Sequence, residues 1–299
     1  MGFPMKLAIT GASGQLGSYL LDELTGKHEV IGIDIIETPH QAHQDMVHRA
    51  DIRTPRTLAS WLKGVDVVIH CAAQVSVENS IKDPIGDLDT NVRGTVGLLQ
   101  TCKEMGVGKV VYISSAAVYG DPLHVPISET HPKQPKSFYG VSKASAEDYV
   151  RVFTETKGLD HVIVRPFNFY SRRADPLSPY SGVITKFVQM ALSKRPLTVE
   201  GDGEQTRDFI HVSDVAVMVC QVACSNVKNQ TFNCGSGKGT SINELALAVL
   251  RASPNQVDIV HVAPRIGDIR HSVGEISKAR KLLDFEPKIS LDHGMASLF

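Results

Sequence analysis

The chain has 299 residues, 42% of them hydrophobic and 21% charged, proportions of a globular protein that exclude a disordered, collagen-like or coiled-coil chain. Thirty-one Lys plus Arg against 32 Asp plus Glu leave a net charge of −1, so no global field favours nucleic acid or an anionic membrane, and an anionic ligand has to be held locally. At roughly 150 residues per domain the length suits two domains, or one large α/β unit with an appended lobe.

Lys6 to Thr10 is a short apolar run ending in a glycine cluster, and Gln15 to Leu24 continues with the i, i+3, i+4 spacing of a helix. Strands are expected at Glu29–Ile33 and Val47–Arg49, then a helix opened by Thr54 with Pro55 at its first position, then a strand at Val65–His70. One long helix over about Ile85–Met105, a strand at Lys109–Ser114, a helix over about Tyr139–Lys157 and a strand at Val162–Arg165 complete an α/β fold, a doubly wound parallel sheet over residues 1–166. Past Pro166 the regularity breaks into Pro/Gly-punctuated pieces. They comprise a helix near Val183–Lys194, a strand near Phe209–Val212 with a helix after Ser213, a helix opened by a Ser241…Glu244 capping box, and a strand at Val257–Val262. These make a smaller α/β lobe, residues 167–299, interwoven with the first domain. The Tyr119–Pro135 connection, with four prolines, is a long loop of the kind that usually carries function.

Gly11-Ala12-Ser13-Gly14-Gln15-Leu16-Gly17 stands between the first strand and the first helix, the context that gives a Gly-x-x-Gly-x-x-Gly pattern its meaning as a Rossmann dinucleotide turn. Gly11 permits the tight turn, Gly14 lets a pyrophosphate approach, Gly17 lets helix pack on strand, and the helix N-terminus attracts the phosphate charge. Asp34 ends the second strand, where a carboxylate accepts from an adenosine ribose and repels a 2′-phosphate, so NAD rather than NADP is the expected cofactor. Tyr139 and Lys143 stand at i, i+4, on one helix face. The phenol has to lose about three pKa units, ~4 kcal/mol, to act as a base at neutral pH, and Lys143 with a bound nicotinium cation would supply that. The alternative is a solvated helix pair.

Cys71, Cys102, Cys220, Cys224 and Cys234 form an odd set in apolar stretches, as expected of reduced, buried thiols. Cys220 and Cys224 lack a second pair to complete a zinc site. His40, His43 and His48 follow Asp34 in a polar stretch read as a solvated loop, so no metal is expected. No apolar run approaches 18 residues and the N-terminus has no signal-peptide pattern, so the protein is expected in the cytoplasm, off the membrane.

The glycine turn, Asp34, Asp51-Ile52, Ala72-Ala73, Asn91, Ser114-Ser115-Ala116-Ala117-Val118-Tyr119-Gly120, Tyr139/Lys143, Arg165-Pro166-Phe167-Asn168 and Gly201-Asp202-Gly203 through Arg207-Asp208-Phe209-Ile210-His211-Val212 occur in one order. Together they resemble the extended short-chain dehydrogenase/reductase family, and within it the UDP-hexose 4-epimerases, along nearly the whole chain. The resemblance implies that Tyr139 is the base for the sugar's C4 hydroxyl, that Ser115 hydrogen-bonds that hydroxyl, and that Lys143 lowers the phenol pKa and contacts the nicotinamide ribose. It also implies that Ser13, Gln15 and Leu16 join the glycines in binding NAD, that Asp51 and Ile52 meet the adenine, that Ala72, Ala73, Asn91 and Ser114 line the cofactor channel, and that Phe167 lies near the nicotinamide. Asn168, Arg207, Arg265 and Asp268 match positions that hold a UDP moiety, which suits a diphosphate in a nearly neutral protein; for each arginine the alternative is a surface ion pair. Ser272 matches the position walling the pocket beside the C2 substituent, where a small residue leaves room for an N-acetyl group.

The chain departs from the family pattern in two places. Ser171-Arg172-Arg173 replaces a Gly-Pro-Arg turn before Tyr180-Ser181-Gly182, and Phe299 falls within the expected closing helix. The resemblance implies a 4-epimerase of UDP-glucose and UDP-galactose, with room for the N-acetylated pair, working through a 4-keto sugar, and a homodimer paired through the helices near 85–105 and 139–157. The competing readings are a dehydratase, decarboxylase or reductase of the same family, and a non-catalytic NAD(H)-sensing module. Family dehydratases carry Asp-Glu where this chain has Ala116-Ala117, decarboxylases carry Glu at the second position, and alanine moves no proton.

Overall fold

A computed structural model describes residues 4–175, 182–265 and 268–299. The chain forms two compact units that exchange segments: Met1–Tyr119, Lys133–Arg165 and Ala216–Phe232 make one, and Gly120–Pro132, Pro166–Val215 and Asn233–Phe299 the other.

In the first unit β1 (Lys6–Thr10), α1 (Gln15–Leu24), β2 (Glu29–Asp34), β3 (Val47–Arg49), α2 (Pro55–Leu62) and β4 (Val67–His70) follow in the expected order. Next come α3 (Val77–Lys82), α4 (Pro84–Leu88), α5 (Thr95–Glu104), β5 (Lys109–Ile113), α6 (Phe138–Lys157) and β6 (Asp160–Pro166). The strands form a sheet of order β11-β6-β5-β4-β1-β2-β3, with β11 at Gln230–Cys234, and β1 pairs in parallel with both β2 and β4. Strand order therefore reverses at β1/β4, the switch point where open parallel sheets leave a crevice at their carboxyl ends. Leu7, Ile9, Val68, Ile69, Val110 and Val111 are fully buried in that sheet, as strands covered on both faces require. Ser137 caps α6 by accepting from Gly140 N at 3.0 Å, and left-handed Gly158 stops it.

The single helix expected over 85–105 is instead α4, a π-helical turn over Asp89–Gly94, and α5. The cause is Asn91. Its buried amide accepts from Gln74 N at 2.8 Å and donates to Gln74 O, Asp87 Oδ1 and Ser142 Oγ at 2.9–3.1 Å, and widening the helix by one residue lets it turn inward. A second buried chain runs beside it. Ala72 N donates to Thr10 Oγ1, Thr10 Oγ1 meets His70 Nδ1 at 2.7 Å, His70 Nε2 meets Thr95 Oγ1 at 3.0 Å, and Thr95 donates to Asn91 O.

In the second unit β7 (Asn168–Tyr170) pairs in parallel with β10 (Phe209–His211). A three-stranded sheet sets β9 (Thr206–Arg207) between β12 (Thr240–Ser241) and β14 (His271–Ser272), and β8 (Leu197–Glu200) pairs with β13 (Ile259–Val262). α7 (Val183–Leu192), α9 (Ile242–Ala252) and α11 (Leu291–Ala296) contribute Phe187, Leu245 and Met295 to its core. The remaining helices are α8 (Val212–Cys224) and α10 (Ser277–Leu283). The Ser241/Glu244 capping box opens α9 as expected, both bonds being present. The proline-rich loop is pinned at Ile127, whose N–H donates to Val273 O at 2.8 Å.

Burial drives His70 down to about 3, with Lys143 adding repulsion, and drives His161, 6% exposed and 2.6 Å from Thr154 Oγ1, down to about 4, with Arg151 adding repulsion. Both imidazoles stay neutral in the fold while the unfolded chain protonates them near pH 6.5, so stability is lost as pH falls from 6.5 toward those values. At about 1.4 kcal/mol per pH unit, each imidazole subtracts roughly 2 kcal/mol by pH 5. Urea unfolding at pH 7 and pH 5 should show this loss, and His161→Gln should remove about half of it.

Candidate functional site

The β1/β4 crevice is built by glycine. Gly11 has φ +72°, and a Cβ there would stand 2.6 Å from Ala72 N; a Cβ on Gly17 would collide with the Gly11 carbonyl oxygen; one on Gly14 would stand 3.2 Å from that oxygen. Among the described residues no side chain caps Gly14 at the start of α1, which leaves the positive end of the helix for an anion. Asp34 folds onto the turn, accepting from Ser13 N at 2.9 Å and Ile36 N at 3.1 Å. Gln15 Nε2 is buried with no hydrogen-bond partner among the described residues. A narrow all-backbone cradle, an uncapped helix start, a carboxylate at its rim and an orphaned amide fit a dinucleotide such as NAD.

Other residues expected to hold it are placed less simply. Leu16 and Ile52 are 5% and 4% exposed and belong to the core. Asn91 is buried with its amide engaged internally, and it shapes the crevice wall. Asp51 is bound by Arg53 at 2.7–3.1 Å, which holds its carboxyl below the usual range. Ala72 and Ala73 are half-buried directly after β4.

At the end of β5 the chain turns through Ser114 and Ser115, and Ser115 Oγ accepts from Ala117 N at 3.1 Å. Gly140 lets α6 close on this turn, since a Cβ there would stand 2.7 Å from Ala117 O. Tyr139 and Lys143 are both buried rather than solvated. Lys143 Nζ donates to Ile113 O at 2.6 Å and lies 4.4 Å from the Tyr112 ring centroid. Burial lowers the ammonium to about 8, against the support of the nearby Glu147 and Asp87 carboxylates. Burial also raises the Tyr139 phenol, and a hydrogen bond with Ser115 pulls it back down.

Sequence reasoning missed what lies behind these residues. Glu147, one turn beyond Lys143 and 1% exposed, receives Arg165 through two bonds at 2.8 and 2.7 Å and Ser114 Oγ at 2.6 Å. Arg165 also donates to Tyr119 OH at 2.8 Å. The Tyr139, Lys143, Glu147 spacing of four was the available signal. Ser114, expected on the cofactor, spends its hydroxyl on Glu147.

In the second unit three expected residues converge. Arg207 donates to Asp268 Oδ1 at 2.6 Å, and Ser272 is the register partner of Arg207 in the β9/β14 ladder. Arg265 is instead paired with Glu200 at 3.1 Å on the surface, at a cleft of about 460 Å³ that Asp268 also lines. Arg265 thus shows the surface ion pair that was the alternative reading, whereas Arg207 pairs with another of the residues expected to hold the nucleotide. Asn168 exposes its side chain while its N–H donates to Asp208 O at 3.0 Å. Phe167 is buried, with Gly274 against its ring. Asp208, fully buried, orders this region by accepting from Ser236 N and Oγ, Gly237 N and Gly274 N at 2.6–3.1 Å. Tyr180, Ser181 and Gly267 lie outside the described residues.

The histidine stretch is no solvated loop: His43 is 3% exposed and bonded to Asp22 at 2.8 Å, and His48 stacks on Trp61 at 3.9 Å. Nor are all the thiols buried, since Cys224 is exposed and Cys71 and Cys220 are intermediate. Among the described residues no group of three or more His, Cys, Asp or Glu can hold a metal ion, and no helix is long and apolar enough to cross a membrane.

Residues 7–235 match the NAD dependent epimerase/dehydratase family. The chain is 36% identical to a putative UDP-glucose 4-epimerase of Methanocaldococcus jannaschii, over 97% of this chain and 95% of that protein. Among solved structures it is similar to the UDP-glucose 4-epimerase of Thermotoga maritima with UDP-glucose, at TM-score 0.93 and 31% identity over 98% and 97% of the two chains. It is as similar to the UDP-N-acetylglucosamine 4-epimerase of Methanobrevibacter ruminantium in complex with UDP-N-acetylmuramic acid, at TM-score 0.93 and 32% identity over 99% and 97%. A seven-stranded sheet whose switch point admits only glycine, carried on a chain with these relatives, makes this protein a member of the NAD dependent epimerase/dehydratase family, an NAD-using enzyme of the UDP-glucose 4-epimerase-like kind.

Proposed function

We propose that the protein is a 4-epimerase of UDP-hexoses. The observation that carries this is the half-buried Ser115 with the buried Tyr139 and Lys143 beside Ala116 and Ala117: the group provides for removing and returning one proton, and neither alanine has a proton to give for the further elimination that a dehydratase needs. Bound NAD supplies a reversible hydride acceptor. Tyr139, as phenolate, takes the C4 hydroxyl proton while Ser115 hydrogen-bonds the same oxygen, and the Lys143 cation favours the ionised phenol. The 4-keto sugar then presents its other face and the same groups run in reverse.

For the nucleotide we assign Arg207, Asp268, Arg265 and Asn168, and for the cofactor the glycine turn, Ser13, Gln15, Asp34, Asp51, Ala72, Ala73, Lys143 and Phe167, with main-chain contacts from Leu16 and Ile52. Pairing of two copies is supported by apolar side chains exposed on α4 and α6, namely Ile85, Leu88, Val141 and Val152. Free thiols agree with a reducing, cytoplasmic setting.

Tyr139→Phe deletes only the proton acceptor. With UDP-glucose as substrate, it should retain NAD while turnover falls by several orders of magnitude; a variant keeping a tenth of wild-type turnover would remove Tyr139 from the role of base.

Ser272, paired in register with Arg207, extends the reading to N-acetylated sugars, and the resemblance to a UDP-N-acetylglucosamine 4-epimerase supports it. Wild-type protein should epimerise UDP-N-acetylglucosamine as well as UDP-glucose. Ser272→Tyr, whose ring fills the space beside C2, should lower the N-acetyl activity by roughly 10- to 200-fold and spare the other. Equal loss on both substrates would show that Ser272 does not gate the C2 group.

A further inference from the structure

The buried Glu147–Arg165 pair lies outside everything assigned above, and its position is unusual for a purely structural ion pair. Tyr139, Lys143 and Glu147 stand four residues apart on α6, so all three face the end of β5. Two links tie that helix face to that strand end: Lys143 Nζ to Ile113 O at 2.6 Å, and Ser114 Oγ to Glu147 Oε1 at 2.6 Å. Ser114 is held from its other side too, its N–H donating to Val164 O at 2.7 Å. The next residue is Ser115, the group that lowers the Tyr139 phenol.

We propose that Glu147, oriented by Arg165, is a positioning residue for the reaction: by gripping Ser114 it fixes the turn that holds Ser115 against Tyr139. The inference rests on the reading of Ser115 and Tyr139 as the reacting pair. The orientation is over-determined. Arg165 occupies both carboxylate oxygens and is itself fixed by Tyr119 OH at 2.8 Å, while Lys133 Nζ stands 3.4 Å from Glu147 Oε2. With both oxygens held by the guanidinium, Oε1 has one direction left in which to accept, and Ser114 occupies it. Glu147 also stands, with Asp87, among the carboxylates that support the buried Lys143 ammonium.

The test pairs kinetics with structure. Glu147→Leu/Arg165→Met removes both charges and the acceptor for Ser114, so that no charge is left buried alone, and Ser114→Ala removes the link while leaving the ion pair intact; Ser114→Ala carries the test should the paired variant not fold. With UDP-glucose, each should lower kcat roughly 10- to 100-fold with KM and bound NAD unchanged, as a misplaced reacting group does. The triple variant should be no worse than the paired one, because both changes break one link. A crystal structure of either variant should show Ser115 Oγ displaced from Tyr139. Unchanged kcat with Ser115 in place, or losses that multiply in the triple variant, would overturn the proposal. If the wild type epimerises no UDP-sugar yet Ser115 moves in the variants, the positioning role stands and the proposed function falls.

Discussion

Lys143 is an ammonium without water, and the geometry around it follows from that constraint. A buried cation costs several kcal/mol unless partners replace its hydration. Here the Ile113 carbonyl, the face of Tyr112 and the carboxylates Glu147 and Asp87 do so. Meeting that demand draws α6 onto the carboxyl end of β5. Gly140 is required because any side chain there would strike the Ala117 carbonyl, and Ser115 is thereby brought to Tyr139. The same low dielectric raises the phenol, so proton transfer at neutral pH depends on groups that favour the phenolate: the Ser115 hydrogen bond, the Lys143 cation and the positive charge of an oxidised nicotinamide.

The second unit handles charge differently. Arg207 with Asp268 and Arg265 with Glu200 neutralise one another in the structure described, in keeping with a chain whose net charge is −1. A diphosphate entering such a site competes with carboxylates for the guanidiniums. The Arg207 pair is largely shielded and well aligned, whereas the Arg265–Glu200 pair is exposed, with both side chains more than 40% accessible. Exposed pairs of that kind contribute about 0–1 kcal/mol, so Arg265 is the easier of the two to redirect.

Polar burial also explains the irregular stretch between β4 and α5. The amide of Asn91 and the hydroxyl of Thr95 need partners, and a continuous α-helix over 85–105 would aim them elsewhere. The π-helical turn and the His70 chain together hold Ala72 close to Gly11. A helix defect and a neutral histidine thus serve the same crevice wall.

The sequence by itself determined the succession of strands β1 to β6, the glycine turn, the capping box at Ser241 and the shared face of Tyr139 and Lys143. Each of these depends on residues within a few positions of one another, where periodicity and turn chemistry report directly on structure. The family pattern extended that to Ser115, Arg207 and Asp268, which only folding brings to their neighbours. The tertiary structure alone decided that Asn91 would break a helix, that His43 would be buried against Asp22, that Arg265 would pair with Glu200, and that two segments would be exchanged between the units. It also gave Glu147 its partners. In these cases a polar group's partner lies 17 to 65 residues away, and which donor meets which acceptor is set by burial and the geometry of packed strands and helices, to which local pattern is blind.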